Sequence, residues 1–404
     1  MWKASLVQSR TDFPRFQRYP SLDFWRGIAC LMVVVFHSWV YVAGREQLHG
    51  EMGFVFRCVR NLWIGVPLFF VISGYCISST CDSMRRRSHS AKTYFWRRYR
   101  RIFPPFWICT LIVAAVLMAA KLTHRLDFLA DPFKLIPDPL ALSLSQWLGS
   151  LSLTETWRGT LFHGGQLFLA PSWSLCYEEQ FYLVSGMLLF FAPWRFFRNA
   201  ALVSLITGVV IIVAAATGVP IGGFFFDGRW LLFAFGILVY WLLNYASDPI
   251  ASELKWIMTV ALFPLVAGLL YRPPRTFLIR YRLSEALAAF VFGVALLHLR
   301  KFDHRIMRSR LLAPISWCGS MCYSLYLVHY PVATTTSRAL AAFGINSPAA
   351  TLTLVIPLSV LFSVVAARLF FVTVERHFLN PPSSMTLAPS LQVFSTNTAA
   401  SVRN

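Results

Sequence analysis

The chain has 404 residues, of which 57% are hydrophobic and 13% charged, and its formal net charge is +20. Soluble domains carry about 25% charged residues, so composition excludes an ordinary soluble globular protein. The positive charge falls between apolar segments, as membrane topology requires. No DNA- or RNA-binding motif accompanies it, which sets a nucleic-acid partner aside.

Residues 1–20 are polar and basic, with Lys3, Arg10, Arg15 and Arg18. No small-residue cleavage site follows the first apolar run, so that run reads as an uncleaved span. Apolar stretches of about 17–25 residues mark membrane spans. They are predicted near 22–43, 61–80, 102–120, 174–192, 200–217, 229–245, 255–271, 283–299, 314–339 and 349–372. The expectation is an all-α, polytopic integral membrane protein of about ten transmembrane helices. Lys and Arg concentrate in 1–21, 81–101 and 300–313, which puts both termini in the cytoplasm. The acidic 246–254 and the four Arg of 272–282 run against that bias. The domain reading is a cytoplasmic segment 1–21, a membrane domain 22–375, and a Ser-, Thr- and Ala-rich tail 376–404 with the composition of a disordered cytoplasmic segment. The longest outer segment, 121–173, is long enough to require a job or a fold back into the membrane. Eight Cys are scattered through mostly apolar spans with no C-x-x-C pair. They read as small hydrophobes, and neither a disulfide framework nor a metal site is expected.

An ionisable group inside a span costs roughly 2.5–3.5 kcal/mol on insertion scales, so each one needs a reason. Those that stand out are Arg26, His37, Glu178, Glu179, Glu285, His298, His329 and Arg368. Arg26 and His37 are 11 residues apart, about three helical turns or roughly 16 Å of rise, which sets them on nearly the same face. Asp23 and Cys30 join that face. The plainer reading of His37 is a buried histidine bonded to a neighbouring helix. The shared face favours chemistry, because imidazole takes and returns protons near neutral pH and can itself carry an acyl group. Those two roles stay open.

The basic loop predicted over 81–101 holds Arg85, Arg86, Arg87, Lys92, Arg97, Arg98, Arg100 and Arg101. Topology signalling and anionic headgroups account for the first three. Trp96 and Tyr99 interleave the second cluster. Guanidinium forks that fit phosphate oxygens and aromatics that stack on a purine suit a donor bearing several phosphates. Glu178 and Tyr182 share a face at i, i+4. Either Glu178 holds helices together through an Arg, or it orients His37 or a sugar hydroxyl. Cys322, Tyr326 and His329 share a face of the ninth span, where Pro331 frees a carbonyl one turn back. A packing seam is at least as good a reading there as catalysis.

Five runs, in order, resemble the motifs of the acyltransferase-3 family of membrane acyltransferases. They are Leu22-Asp-Phe-Trp-Arg26 through His37, Gly65 to Tyr75 around Ser73-Gly74, Arg98-Tyr-Arg-Arg101-Ile-Phe-Pro104, Trp173-Ser-Leu-x-x-Glu178, and Ser324-Leu-Tyr326-Leu-x-His329-x-Pro331. Phe24-Trp25 departs from the family's usual residues there but leaves Arg26 and His37 in place. The resemblance implies an O-acyltransferase of the bacterial inner membrane. It would move an acyl group, usually acetyl, from cytoplasmic acyl-CoA to a hydroxyl of a glycan or glycolipid such as O-antigen, exopolysaccharide or a lipo-chito-oligosaccharide. Some members add a periplasmic esterase-like domain, for which the chain ends too early. On this reading Arg98, Arg101, Arg97 and Ser73 bind the donor. His37 and Arg26 carry the chemistry, with Glu178 and Tyr326 as helpers. The rival classes are a transporter or flippase of a lipid-linked glycan, which predicts inverted repeats with broken helices, and a glycan-modifying enzyme with a lipid-linked donor.

Overall fold

The computed structural model describes residues 19–40, 42, 49–87, 90–123, 137–162, 165–271 and 277–379, with backbone alone at 266, 268–271 and 277–282. All regular structure among them is helical. The expected tail beyond 379 and the first eighteen residues lie outside the described residues.

The principal helices are α1 (Leu22–His37), α2 (Gly50–Arg60), α3 (Gly65–Arg86), α4 (Ala91–Leu122), α5 (Leu144–Leu151), α6 (Glu155–Phe162), α7 (Ser172–Phe191), α8 (Phe196–Thr217), α9 (Arg229–Asn244), α10 (Asp248–Tyr271), α11 (Phe277–Leu299), α12 (Asp303–Arg308), α13 (Ala313–Ser320), α14 (Cys322–Ala342) and α15 (Ile356–Thr373). A helix coincides with every one of the ten predicted spans. Five stretches are both long and apolar enough to cross a membrane: Gly50–Arg86, Ala91–Leu122, Pro193–Thr217, Leu283–Arg308 and Pro348–His377. The 16 residues of α1 rise only about 24 Å against a hydrocarbon core of about 30 Å, α9 is as short, α7 carries Ser, Tyr and Glu, and α14 carries Ser, Thr, Tyr and His.

The segment 81–101 is not the loop that its charge suggests. The helix α3 runs on to Arg86, and α4 starts at Ala91, where the Ser90 side chain accepts the Thr93 N–H at 3.4 Å. Arg and Lys are good helix formers, so nothing local stops the helix once it is capped. The 32 residues of α4 span about 48 Å, roughly 18 Å more than the hydrocarbon thickness. Its basic first eleven residues account for that excess. The predicted span 314–339 is broken at Met321 into α13 and α14. The outer segment contributes α5, started by a capping box between Ser143 and Gln146, and α6.

Two crossings set the frame. Helix α1 meets α13 through Gly27 and Gly319, where an added Cβ would lie 2.0 Å from the Ile315 carbonyl oxygen and 1.6 Å from that of Asp23. Helix α3 meets α9 through Gly74 and Gly236, with the corresponding distances 1.9 Å to the Phe233 oxygen and 1.9 Å to the Val71 oxygen. Backbone approach of this kind is how membrane helices gain packing without a hydrophobic driving force. Helix α14 lies between α15, α1 and α4, and α7 packs on α3 and α4. The helices α1, α3, α4, α7 and α14 thereby surround one space.

Three of the polar residues singled out from sequence hold this frame and lie away from that space. Glu285 is buried 3.4 Å from the Arg229 guanidinium. Arg229 also donates to the Tyr177 hydroxyl at 2.8 Å and lies over the Trp173 and Tyr177 rings. His298 pairs with the Thr259 hydroxyl at 3.0 Å. Arg368 stacks over Trp317 and Phe371.

Candidate active site

The space between those five helices is a cavity of about 130 Å³. Arg98 and Arg101 line it from α4, and Arg26 and His37 from α1. Ser73 and Cys76 line it from α3, Glu178 and Tyr182 from α7, and Cys322 and Tyr326 from α14. Seven of the eight residues assigned above to donor binding or chemistry therefore meet at one cavity. The eighth, Arg97, is exposed on the neighbouring face of α4 and is not among the lining residues.

The helical spacing that sets Arg26 and His37 on one face holds, since both reach the same cavity. Arg26 is anchored on both arms, with Nη1 donating to Asp23 Oδ1 at 2.5 Å and Nη2 to Cys76 Sγ at 2.8 Å. Asp23 is legible as a partner from its i, i+3 spacing. Cys76, 50 residues further on, is not.

Arg98 and Arg101, three residues apart, turn the same side of α4 to the cavity. Arg98 Nη2 donates to Thr80 Oγ1 at 3.1 Å, and its guanidinium lies 5.1 Å from the Tyr182 ring centroid and 5.9 Å from that of Tyr94. This flat seating between aromatic faces leaves its edge available to an oxyanion.

The Glu178 carboxylate accepts hydrogen bonds from both the Ser73 and the Tyr182 hydroxyls at the same oxygen. Glu178 thus ties α3 to α7 through hydroxyl groups, not through an arginine. Among the described contacts it does not touch His37. Glu179, its neighbour, is partly buried with one carboxylate oxygen unpartnered among the described residues. On the opposite wall, the Tyr326 hydroxyl donates to the Pro171 carbonyl oxygen at 2.6 Å and sits 3.1 Å from Ser174 Oγ. It closes the cavity where the outer segment enters α7. Pro331 leaves the Leu327 carbonyl without its helical donor, and the Cys109 thiol supplies one at 3.5 Å.

His37 differs from all of these. Its ring contacts Phe36, Tyr330 and His329 edge-on, with centroids 4.8, 5.0 and 5.3 Å away. Both ring nitrogens are buried, and neither has a hydrogen-bond partner among the described residues. A buried polar group left unpartnered costs about 1–3 kcal/mol. No group of three or more His, Cys, Asp or Glu that would hold a metal ion occurs among the described residues, and all eight Cys are free thiols.

A buried imidazole and several guanidinium groups meet at one cavity of a helical membrane protein. Its sequence similarities give the class. The acyltransferase domain family matches residues 19–368, and the chain belongs to that family, the one its motifs resemble. It is 25% identical over 352 residues to the peptidoglycan O-acetyltransferase OatA of Listeria monocytogenes, covering 80% of this chain and 50% of that protein. The putative membrane-bound transacylase BcsY of Komagataeibacter xylinus is 25% identical over 338 residues, covering 82% and 76%. The putative peptidoglycan O-acetyltransferase YrhL of Bacillus subtilis is 27% identical over 342 residues, covering 78% and 48%. The chain spans about half the length of the Listeria and Bacillus proteins. No solved structure matches. The family match favours an acyltransferase over the transporter reading, for which nothing here speaks.

Proposed function

We propose that the protein is a membrane O-acetyltransferase that moves an acetyl group from acetyl-CoA to a hydroxyl of a cell-envelope glycan. The observation that carries this reading is the single cavity with Arg98 and Arg101 at one part of its wall and the unpartnered His37 at another. The phosphates of the donor engage Arg98 and Arg101 at the basic end of α4, with Arg97 alongside on the exposed face. The thioester reaches inward past Arg26 and Ser73. His37 acts as general base: it takes the proton of the acceptor hydroxyl as the oxygen bonds to the acyl carbon. The C–S bond breaks, and His37 returns the proton to the departing CoA sulfur. Arg26, about three turns from His37 and fixed on both arms to Asp23 and Cys76, orients the donor on its way to His37. Glu178 and Tyr326 hold α3, α7 and α14 around the reacting groups.

The relatives named as peptidoglycan O-acetyltransferases support a glycan acceptor, and peptidoglycan or an exported polysaccharide is the acceptor class proposed. The finer topology is part of the same reading: ten spans, both termini cytoplasmic, and the inner membrane of a bacterium, with 22–375 as the membrane domain. Mass spectrometry of envelope glycans from cells with and without the gene tests the class. An acetyl-sized difference is expected. Identical glycan profiles would refute it, and a lipid-linked glycan accumulating on one membrane face would favour the transporter.

A further inference from the structure

We infer that His329 is the positioning partner of His37, the acceptor that holds the second N–H of the His37 imidazolium. The inference rests on the reading of His37 as base. During transfer His37 carries two N–H groups. One serves the reacting oxygen and sulfur. The other needs an acceptor, because an unpaired charged donor in a buried site is strongly disfavoured. The surroundings of the His37 ring are mostly aromatic and aliphatic: Phe36 on its own helix, Val33 one turn back, and Tyr330 and His329 from α14.

Among the described residues in ring contact with His37, His329 offers a nitrogen lone pair suited to the task. It is 1% exposed. Its Nδ1 lies 2.7 Å from the Tyr326 carbonyl oxygen and 3.1 Å from that of Leu325. Carbonyl oxygens only accept, so Nδ1 carries the hydrogen and, in the neutral ring, Nε2 is a bare acceptor. That Nε2 is buried and unpartnered among the described residues. The two rings meet edge-on with centroids 5.3 Å apart. Each ring nitrogen lies about 1.1 Å from its own centroid, so with His329 held by its backbone bonds and a His37 nitrogen turned toward Nε2 the two nitrogens stand about 3 Å apart, hydrogen-bond distance. Three unpartnered imidazole nitrogens in contact across α1 and α14 are a poor packing seam and a good resting state for a pair that bonds only when His37 is charged. The arrangement parallels the orienting role of a carboxylate behind a catalytic histidine, with a backbone-locked imidazole in its place. Its acceptor atom is neutral, which avoids burying a second charge in the membrane.

The test follows labelled acetyl transfer from acetyl-CoA into the native glycan fraction of permeabilised cells that express each full-length variant at matched membrane abundance. His329→Phe keeps the ring shape and removes the acceptor. His329→Gln keeps an acceptor close to the Nε2 position. The expected result is a maximal rate lowered roughly 10- to 100-fold in His329→Phe, the size of a charge-assisted hydrogen bond, with KM for acetyl-CoA within twofold of wild type. Substantial recovery is expected in His329→Gln. Wild-type transfer by His329→Phe overturns the inference. So does a His329→Gln protein as slow as His329→Phe, which would assign the residue to shape. His37→Ala in the same assay separates the two claims: if it retains transfer, the reading of His37 as base falls, whereas a dead His37→Ala beside an active His329→Phe refutes only the pairing.

Discussion

Arg98 offers the sharpest quantitative handle on the donor side of the cavity. Its guanidinium is held by Thr80 and sandwiched toward Tyr182 and Tyr94, so a phosphate meets a fork that is already oriented. Charge-assisted hydrogen bonds of this kind contribute about 1.5–3 kcal/mol. Arg98→Ala should therefore weaken acetyl-CoA binding roughly 10- to 150-fold, at about 1.4 kcal/mol per factor of ten. Arg98→Lys keeps the charge but presents a compact ammonium with no planar fork and a weaker seat over Tyr182. It should fall between, about 3- to 10-fold weaker than wild type. Titration calorimetry of acetyl-CoA into the purified, detergent-solubilised protein reads both, with the thermal midpoint as a control for folding. Binding by Arg98→Ala within twofold of wild type, at an unchanged midpoint, would refute the assignment of phosphate binding to this residue.

Other outcomes follow from the same geometry. Ser73→Ala and Tyr182→Phe each remove one donor from the same Glu178 oxygen; thermal unfolding should show a double variant more destabilised than the sum of the singles, because each single leaves that oxygen one donor and the double leaves it none, and strict additivity would contradict that network. Gly236→Ala puts a methyl group against the Val71 carbonyl and should destabilise by about 1–3 kcal/mol. Gly208→Ala, where nothing lies within 4 Å, should leave the midpoint within a degree or so, and equal effects at the two sites would overturn the crossing argument. Arg229→Leu removes a counter-charge shared by Asp227 and Glu285 and should destabilise by about 3–5 kcal/mol in thermal unfolding; a loss below about 1 kcal/mol would show that this cluster does not hold the frame.

Much of this was written in the sequence because membrane physics is simple. A buried charge is so disfavoured that Arg26, His37 and Glu178 announced themselves, and helical periodicity was enough to join Arg26 to His37, while Arg98 and Arg101 stood out through their family motif. Apolar length located a helix at each predicted span. What stayed hidden depends on tertiary contact. Cys76 as the second anchor of Arg26, the shared Glu178 oxygen and the seat of Arg98 over Tyr182 each join residues from different helices, and no spacing rule reaches across them. Charge alone misread 81–101 as a loop, since arginines at a membrane edge are as content on a protruding helix as on a turn. Hydropathy likewise ran α13 and α14 together, because the break at Met321 answers to the close approach of Gly319 to α1 and not to any local polar signal.

The account turns on His37 as the group that handles the acceptor proton. The direct measurement is the base-labile acetate content of envelope glycan from cells whose only copy of the gene carries His37→Ala, at wild-type membrane abundance. Acetate at the level of the gene deletion is the predicted result, and acetate at the wild-type level would contradict the account.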